Sequence, residues 1–305
     1  METQNKLHCG IVAIVGRPNT GKSTLLNKIL GEKLVIVSKV PQTTRNAIRG
    51  IFTDQRGQIV FIDTPGMHLP RHKLGSIMLK RIDEAIESSD LIIHLVDTND
   101  PVGQEENMIV EKIKVVKVPI ILGLNKIDLK AKFIDSYIKL WEQKRGKTVD
   151  EMVDGFILMP LSGLKGTNVD RLLEVIFAHL PLGPLLYPED VVSDFPQRLA
   201  IAEFIREKII NLMRKEVPHS VAVYIEDIQP RQTNLIYIRA IILVERESQK
   251  AIVIGKDGQI LKMVGQQARP EIEALLSKQV FLETRVKVKS DWQQDPFILK
   301  ELGYI

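Results

Sequence analysis

The stretch Gly16-Arg17-Pro18-Asn19-Thr20-Gly21-Lys22-Ser23 restricts the fold of this chain more tightly than any other. Its pattern is a glycine, four residues, then Gly-Lys-Ser. The apolar run Ile11-Val12-Ala13-Ile14-Val15 before it reads as a buried strand, and residues 22–30 after it read as a helix. A strand, a tight loop and a helix in that order predict an α/β domain with a mostly parallel sheet flanked by helices. Such a loop directs backbone N–H groups at one point, where they cradle phosphate oxygens. Lys22 can reach the β- and γ-phosphates, and the Ser23 hydroxyl can ligate Mg²⁺. Gly16, Asn19, Thr20, Gly21 and Thr24 complete the loop and the first helical turn around them. A glycine-rich turn in an unrelated fold is the competing reading, and the flanking strand and helix weigh against it. The implied ligand is a nucleoside phosphate.

Three further segments bear on the base. Asn125-Lys126-Ile127-Asp128 follows the apolar run 119–124, at the C-terminal end of an expected strand, where open α/β sheets bind ligands. The Asp128 carboxylate can accept both the N1–H and the 2-amino group of guanine. Adenine offers an acceptor at N1 and no 2-amino group, and a site built for the donor pair rejects it. Asn125 would brace the loop, and the Lys126 stem can cover the base. Asp63-Thr64-Pro65-Gly66 ends a second strand-like run, 58–62. There Asp63 is placed to hold Mg²⁺ through water, and the Gly66 N–H can approach a γ-phosphate and lose it on hydrolysis. Ser162 and Gly163 follow strand 156–159, where a backbone N–H can meet guanine O6. Taken singly, each of these segments also reads as an ordinary polar turn.

A length of 305 residues suits two domains. Hydrophobic content of 44% describes an ordinary globular chain, and no run of eighteen apolar residues occurs. The polar start, residues 1–8, lacks the apolar stretch of a signal peptide, and Cys9 is the sole cysteine. An intrachain disulfide or a cysteine metal cluster is excluded, and a reducing cytoplasm is expected. Cys9 itself should sit as a small apolar residue at the start of the first strand. The net charge of +4 resides in residues 1–180, while 181–305 balance. Within the second region, however, residues 246–289 carry a local excess of four positive charges.

Pro181, Pro184, Pro188 and Pro196, with Gly183, mark a segment that cannot continue a helix or join a sheet centre. It divides the chain into 1–180, a linker at 181–196, and 197–305. Beyond it, Leu199, Ala202, Ile205, Ile209 and Leu212 recur at helical spacing. The mixed charges of that helix, Glu203, Arg206, Glu207, Lys208, Arg214, Lys215 and Glu216, suit a solvated face on a core-packed helix rather than a membrane-surface one. Strand-like runs at 221–225 and 235–244, a helical pair, and a last strand at 280–288 complete the order α-β-β-α-α-β. Between the paired helices stands Ile254-Gly255-Lys256-Asp257-Gly258. A Gly-x-x-Gly turn there lets a nucleic-acid backbone come close, with Lys256 and the helix N–H groups facing phosphate. Lys250, Lys262 and Arg269 flank it. Trp292, Phe297 and Tyr304 in the tail are expected to pack back on this region.

These segments, in this order and spacing, resemble the translation-factor class of GTPases. Together with Pro41-Gln42-Thr43-Thr44-Arg45 they resemble the Era family of bacterial ribosome-assembly GTPases, whose RNA-binding module, a type II KH domain, the region from 197 to about 290 resembles in turn. The resemblance spans nearly the whole chain. It implies a GTP/GDP-binding domain at 1–180 and a KH domain with its tail at 197–305. It implies GTP hydrolysis, with Thr44 as the first-switch Mg²⁺ ligand beside Ser23. It implies RNA contacts at Ile254, Gly255, Lys256, Asp257, Gly258 and Lys262. The implied partners are the 3′ region of 16S ribosomal RNA and the 30S subunit during its maturation, met by a monomer in the cytoplasm. Contact with the inner face of the membrane is left open. In related GTPases with asparagine at the position of Asn19, the side-chain oxygen helps hold K⁺ between the phosphates; otherwise Asn19 caps the turn. Two departures are small: Thr20 stands where the family usually has Val or Ala, and Gly163 where it usually has Ala.

Met67 stands where many GTPases place the glutamine that orients water, so unaided hydrolysis should be slow and rest on Lys22, Thr44 and Asn19. Arg71, His68 and His72 read as solvated loop residues. Two other functions compete. A tRNA-modification GTPase shares the P-loop asparagine but carries a C-terminal cysteine that this chain lacks. A nucleotide sensor that barely hydrolyses is compatible with Met67.

Overall fold

The computed structural model describes residues 7–38, 40, 43–70, 72–152, 155–213 and 217–305. Expectations resting on Met1–Lys6, Pro41, Gln42, Arg71, Arg214, Lys215 and Glu216 lie outside the described residues. The chain divides into two compact units. One comprises Met1–Val35, Thr44–Pro70 and Met78–Asp194; the other comprises Ile36–Thr43, Arg71–Ile77 and Phe195–Ile305.

The first unit is built from β1 (Leu7–Val15), α1 (Lys22–Leu30), β2 (Ile48–Asp54), β3 (Gly57–Asp63), α2 (Lys73–Glu87) from Met78 onward, β4 (Leu91–Asp97), α3 (Gln104–Ile113), β5 (Ile120–Asn125), α4 (Ile134–Arg145), β6 (Phe156–Pro160), α5 (Val169–His179) and β7 (Leu182–Gly183). The sheet order is β2-β3-β1-β4-β5-β6, with β7 paired to β1. Among the described residues only β2 and β7 run antiparallel to their neighbours. Every residue of β4 and β5 is buried, as expected of strands covered on both faces. On one face Ile82, Ile109, Tyr137 and Trp141 pack over Ile92, Val96, Ile120 and Leu122. His94 belongs to this interior as a neutral ring. Burial pushes it down to about 3, and its Nδ1 accepts the Trp141 indole N–H at 3.2 Å. Cys9 is buried on β1.

The proline-rich segment is laid against this unit. The Pro181 carbonyl accepts from Cys9 N–H, and the Val192 carbonyl from Ile51 N–H. Gln58, fully buried, accepts from the Leu186 and Tyr187 amides and donates to Tyr187 O and Thr53 Oγ1. Contrary to the expectation that this segment stays out of the sheet, the two residues of β7 between Pro181 and Pro184 pair antiparallel with β1, because neither of them is a proline and both keep their amides.

The second unit contains α6 (Gln197–Leu212), α7 (Val217–Ser220), β8 (Ala222–Gln232), β9 (Leu235–Val244), α8 (Glu247–Ile254), α9 (Gln259–Leu276), β10 (Gln279–Val288) and α10 (Pro296–Glu301). Its sheet order is β10-β9-β8; β8 and β9 are antiparallel, β9 and β10 parallel. Ile238, Ala240, Ile242 and Val244 alternate along β9 onto a core shared with Ile201, Ile205 and Ile209 of α6 and Val264, Ala268 and Ile272 of α9. The order α-β-β-α-α-β is present, with the short α7 and α10 added. β8 runs well past the expected 221–225. Its polar second half, including Pro230, survives on the edge of the sheet through two register shifts.

Two charges of α6 differ from the expected solvated face. Arg206 is 1% and Glu207 2% exposed. Arg206 donates to the Thr43 carbonyl and pairs with Glu203, and Glu207 accepts the Val37 N–H at 2.9 Å. Helical period reports which positions are polar, not that backbone from a distant segment covers them. In the tail, Trp292 and Tyr304 are buried, with Trp292 Nε1 donating to Ser220 O at 2.8 Å, whereas Phe297 is 85% exposed and does not pack. Among the described residues no helix is long and apolar enough to cross a membrane.

Replacing Gln58 with alanine strands two amides and a carbonyl of the segment after β7. We expect a loss of about 2 kcal/mol in stability and faster proteolysis between residues 182 and 192, read by denaturant melts and limited digestion. Unchanged digestion would mean that Gln58 does not hold this segment.

Candidate functional site

The phosphate loop joins β1 to α1 in backbone conformations that its residues are suited to. Gly21 has φ 100°, and a Cβ there would lie 2.4 Å from Asn125 Nδ2. At Gly16 a Cβ would meet the Leu95 carbonyl at 2.3 Å. Asn19 has φ 65°, a conformation asparagine tolerates better than most residues. Thr20 is buried and its hydroxyl donates to Arg17 O at 3.1 Å. Lys22 is also buried, and its ammonium donates to the carbonyls of Gly16 at 3.1 Å and Arg17 at 2.8 Å. Burial pushes Lys22 down to about 8, against the opposing pull of the Asp63 and Glu106 charges.

Three oxygens converge beside it. Ser23 Oγ donates to Asp63 Oδ2 at 2.7 Å and lies 3.0 Å from Thr44 Oγ1. Asp63 is fully buried, and burial raises it to about 6. Its other oxygen, Oδ1, is buried without a hydrogen-bond partner among the described residues. Two hydroxyls and a carboxylate with an orphaned oxygen form a hard, all-oxygen donor set that fits Mg²⁺. Thr43, the neighbour that sequence alone does not separate from Thr44, bonds instead to the Val40 carbonyl. Thr24 lies in the first turn of α1.

The base-side segments meet the loop through Asn125. Its Nδ2 donates to Thr20 O at 2.7 Å, and its Oδ1 accepts the Gly163 N–H at 2.9 Å. Lys126, at φ 65°, extends its ammonium to Asn19 O at 2.8 Å and to Asp97. Asp128 is exposed. The Ser162–Gly163 turn is in place, but the Gly163 N–H expected to meet guanine O6 is committed to Asn125, and the Ser162 N–H to Thr167 O. Gly66 is constrained by the loop itself, since a Cβ would lie 2.6 Å from Pro18 N. Met67 is buried as a member of the core beside the sheet. His68 Nδ1 is 3.0 Å from Gly66 O, a local loop contact.

Asp97 and Asn99 were not singled out by sequence. Asn99 donates to Lys126 O and accepts from the Lys130 and Ala131 amides, all near 3 Å. Their position at the C-terminal end of β4 was the available signal.

In the second unit, the turn between α8 and α9 is built by Gly255 and Gly258, both at φ 74°, with Asp257 at φ 51°. A Cβ at Gly255 would lie 2.7 Å from Ile260, whereas Gly258 faces open space. Beside the turn runs a groove of about 310 Å³ lined by Gly258, Leu261, Lys262, Gly265, Gln266, Arg269, Leu282 and Thr284. Two cations and no carboxylate line it. Ile254 and Lys256 flank the turn at the end of α8 and the start of the loop.

Residues 11–126 match the family described as 50S ribosome-binding GTPase, and residues 216–293 match the KH-domain family. GTPase Era of Carboxydothermus hydrogenoformans is 48% identical over 296 residues, covering 97% of both chains. GTPase Era of Halothermothrix orenii is 46% identical over 295 residues, covering 97% of this chain and 98% of its own. The chain belongs to the Era GTPase family. Two solved structures share its fold at 39% identity. One is Era in complex with MgGDPNP and nucleotides 1506–1542 of 16S ribosomal RNA, with TM-score 0.90, covering 98% of this chain and 99% of that one. The other is a single-residue variant of Aquifex aeolicus Era bound to GDP·AlF4⁻, with TM-score 0.89 and the same coverage. The chain is therefore a GTPase with a P-loop domain and an RNA-binding KH domain, as the sequence led us to expect. Its nucleotide is GTP or GDP with Mg²⁺.

Lys22 gives a measurable consequence. At pH 8 about half of the empty protein should carry a neutral Lys22, and the phosphates of a bound nucleotide favour the ammonium form. Binding of a non-hydrolysable GTP analogue should take up about half a proton at pH 8, measured by calorimetry in buffers of different ionisation enthalpy. Lys22→Ala should abolish that uptake. Equal uptake in the variant would place the titration elsewhere.

Proposed function

We propose that this chain is a GTP-driven switch that binds single-stranded RNA near the 3′ end of 16S ribosomal RNA and acts in maturation of the small ribosomal subunit. The observation that carries the reading is a basic, carboxylate-free groove at a Gly-x-x-Gly turn, in a chain whose phosphate loop is also tied through Asn125 to the turn at Gly163. An Era of the same architecture is held on that stretch of RNA, which supports the choice of ligand.

In the nucleotide site we assign Gly16, Asn19, Thr20, Gly21, Lys22, Ser23 and Thr24 to the phosphates and Asp128 to the guanine edge, with Asn125 and Lys126 holding that edge in place. Ser23 and Thr44 would hold Mg²⁺ directly and Asp63 through water; the ion spreads the negative charge of the β- and γ-oxygens. Lys22 exchanges the Gly16 and Arg17 carbonyls for those oxygens when nucleotide enters. Its charge, the loop amides and the fixed geometry of Ser23 and Thr44 oppose the charge that spreads during in-line attack by water. Asn19 is assigned to K⁺ beside the phosphates, which would supply a further positive charge there. Met67 supplies no water-orienting group, so acceleration is assigned to a partner, for which the maturing 30S subunit is our candidate. After hydrolysis, Gly66 loses its γ-phosphate contact and the segments carrying Gly66 and Thr44 relax.

In the KH unit, Gly255 and Gly258 shape the turn for a phosphodiester backbone, with Ile254, Lys256, Asp257 and Lys262 around it. Bases lie along the groove against Leu261 and Leu282, between Lys262 and Arg269.

The test is a fluorescence titration of single-stranded RNA from the small-subunit 3′ end across a salt series. Gly258→Asp places a carboxylate where phosphate should lie and should weaken binding at least tenfold, with GDP affinity unchanged. Lys256→Ala should flatten the salt slope by about one unit at most. Equal RNA affinity for the wild type and Gly258→Asp would remove the groove from the proposal.

A further inference from the structure

The phosphate loop carries a cation whose side chain the nucleotide does not claim. Arg17 sits at the loop apex, between Gly16 and Pro18, yet its guanidinium turns away from the phosphate site toward the start of α3. Nε lies 2.7 Å from Glu106 Oε2, and the same guanidinium donates to the Pro101 carbonyl at 3.3 Å. Asp100 is within 3.8 Å. The Glu106 side chain is fully buried and that of Arg17 is 17% exposed. Burial raises the Glu106 carboxyl to about 7, against the opposing pull of Arg17 and of the Gly103 and Glu106 backbone, so the pair is ionic above that pH. The approach of Nε is off the line of an ideal hydrogen bond, which makes the contact chiefly Coulombic.

The surroundings are shaped for the guanidinium. Gly103, at the start of α3, has an ordinary extended backbone, so its lack of a side chain has no conformational cause. A Cβ there would stand 2.7 Å from Arg17 NH1. An apolar pair would fill the same volume at less desolvation cost. What an ion pair adds is a fixed register between two backbones.

That register matters because of what Arg17 carries. Its carbonyl is one of the two acceptors that hold Lys22, and it also accepts from Thr20 Oγ1. Two residues on, the Asn19 carbonyl accepts from Lys126. On the other side, the turn leading into α3 contains Asn99, which ties it to the Lys126 carbonyl and to the amides after Asp128. The Arg17–Glu106 pair therefore closes a loop of contacts from the phosphate side of the site, through α3, to the base side.

We propose that Arg17 and Glu106 are a positioning pair for GTP hydrolysis: the buried ion pair fixes the apex of the phosphate loop against α3 and acts through Lys22 and Asn19. Neither residue touches the reacting atoms. GDP is held by many contacts that tolerate a small shift of the apex. The attack geometry at the γ-phosphate does not, since a displacement near 1 Å can cost about a hundredfold in rate.

The experiment compares three full-length variants with the wild type, reading thermal midpoint, affinity for a fluorescent GDP analogue and single-turnover GTP hydrolysis. Glu106→Gln leaves shape intact and removes the charge. Gly103→Ala keeps both charges and displaces the guanidinium. Arg17→Met combined with Glu106→Leu replaces the pair by apolar side chains and restores packing. The expected result is hydrolysis at least about tenfold slower in each, with GDP affinity within about threefold of wild type and a near-normal thermal midpoint in the double variant. Wild-type hydrolysis in the double variant, or in both single variants, would reduce the pair to a structural contact and overturn the proposal. A fall in GDP affinity as large as the fall in rate would overturn it too, because the pair would then hold nucleotide rather than position chemistry.

Discussion

The nucleotide site depends on one side-chain amide. Asn125 donates from Nδ2 to the carbonyl of Thr20 and accepts at Oδ1 from the amide of Gly163, while its own carbonyl receives the Thr98 N–H and hydroxyl. Four loops that are far apart in sequence are thereby locked at the C-terminal ends of β1, β4, β5 and β6. The amide is 2% exposed, so each of these bonds is made in a low-dielectric interior, where leaving one unmade is costly. Gly21 must lack a side chain because Asn125 occupies that space. The glycine pattern of the phosphate loop thus answers partly to the protein's own packing and not only to phosphate.

A second constraint is electrostatic. Lys22 and Asp63 are both buried close to one another and both pushed toward their neutral forms by desolvation, to about 8 and about 6. The site holds an amine and a carboxyl, both short of full solvation. A phosphate and a divalent cation bring to it the opposite charge that each group lacks. Ligand entry therefore relieves a desolvation penalty already incurred on folding. The same logic separates the two ligand surfaces of the chain. At the nucleotide site Lys22 and Asp63 are buried, whereas the groove beside Gly258 has Lys262 and Arg269 exposed.

Much of this was legible in the sequence because it is local. The Gly-Lys-Ser loop, the Asn-Lys-x-Asp turn and the Gly-x-x-Gly turn each need particular residues at fixed spacing, and the apolar runs before them fix the strands. The long-range polar contacts were not legible. Gln58 looks like one polar position in a strand, yet it holds Leu186 and Tyr187. Arg206 and Glu207 look like a solvated helix face, yet both are buried against the backbone of residues 37 and 43. Glu106 looks like a favourable acid in the first turn of α3, and its burial against Arg17 depends on a glycine at position 103. The second half of β8 was missed because its residues are polar and its pairing comes from β9 and from bulges, which leave no period to count.

The central claim is that these loops converge on a guanine nucleotide, with Asp128 accepting the N1–H and 2-amino donors of the base. The most direct measurement is the affinity of Asp128→Asn for GDP and for xanthosine diphosphate, side by side with the wild type. An asparagine there reverses one donor–acceptor demand and should move preference from guanine to xanthine. GDP should weaken by about a hundredfold or more, and xanthosine diphosphate should gain. Unchanged GDP affinity with no gain for the xanthosine nucleotide would show that Asp128 does not meet the base, and the convergence described here would have to serve another ligand.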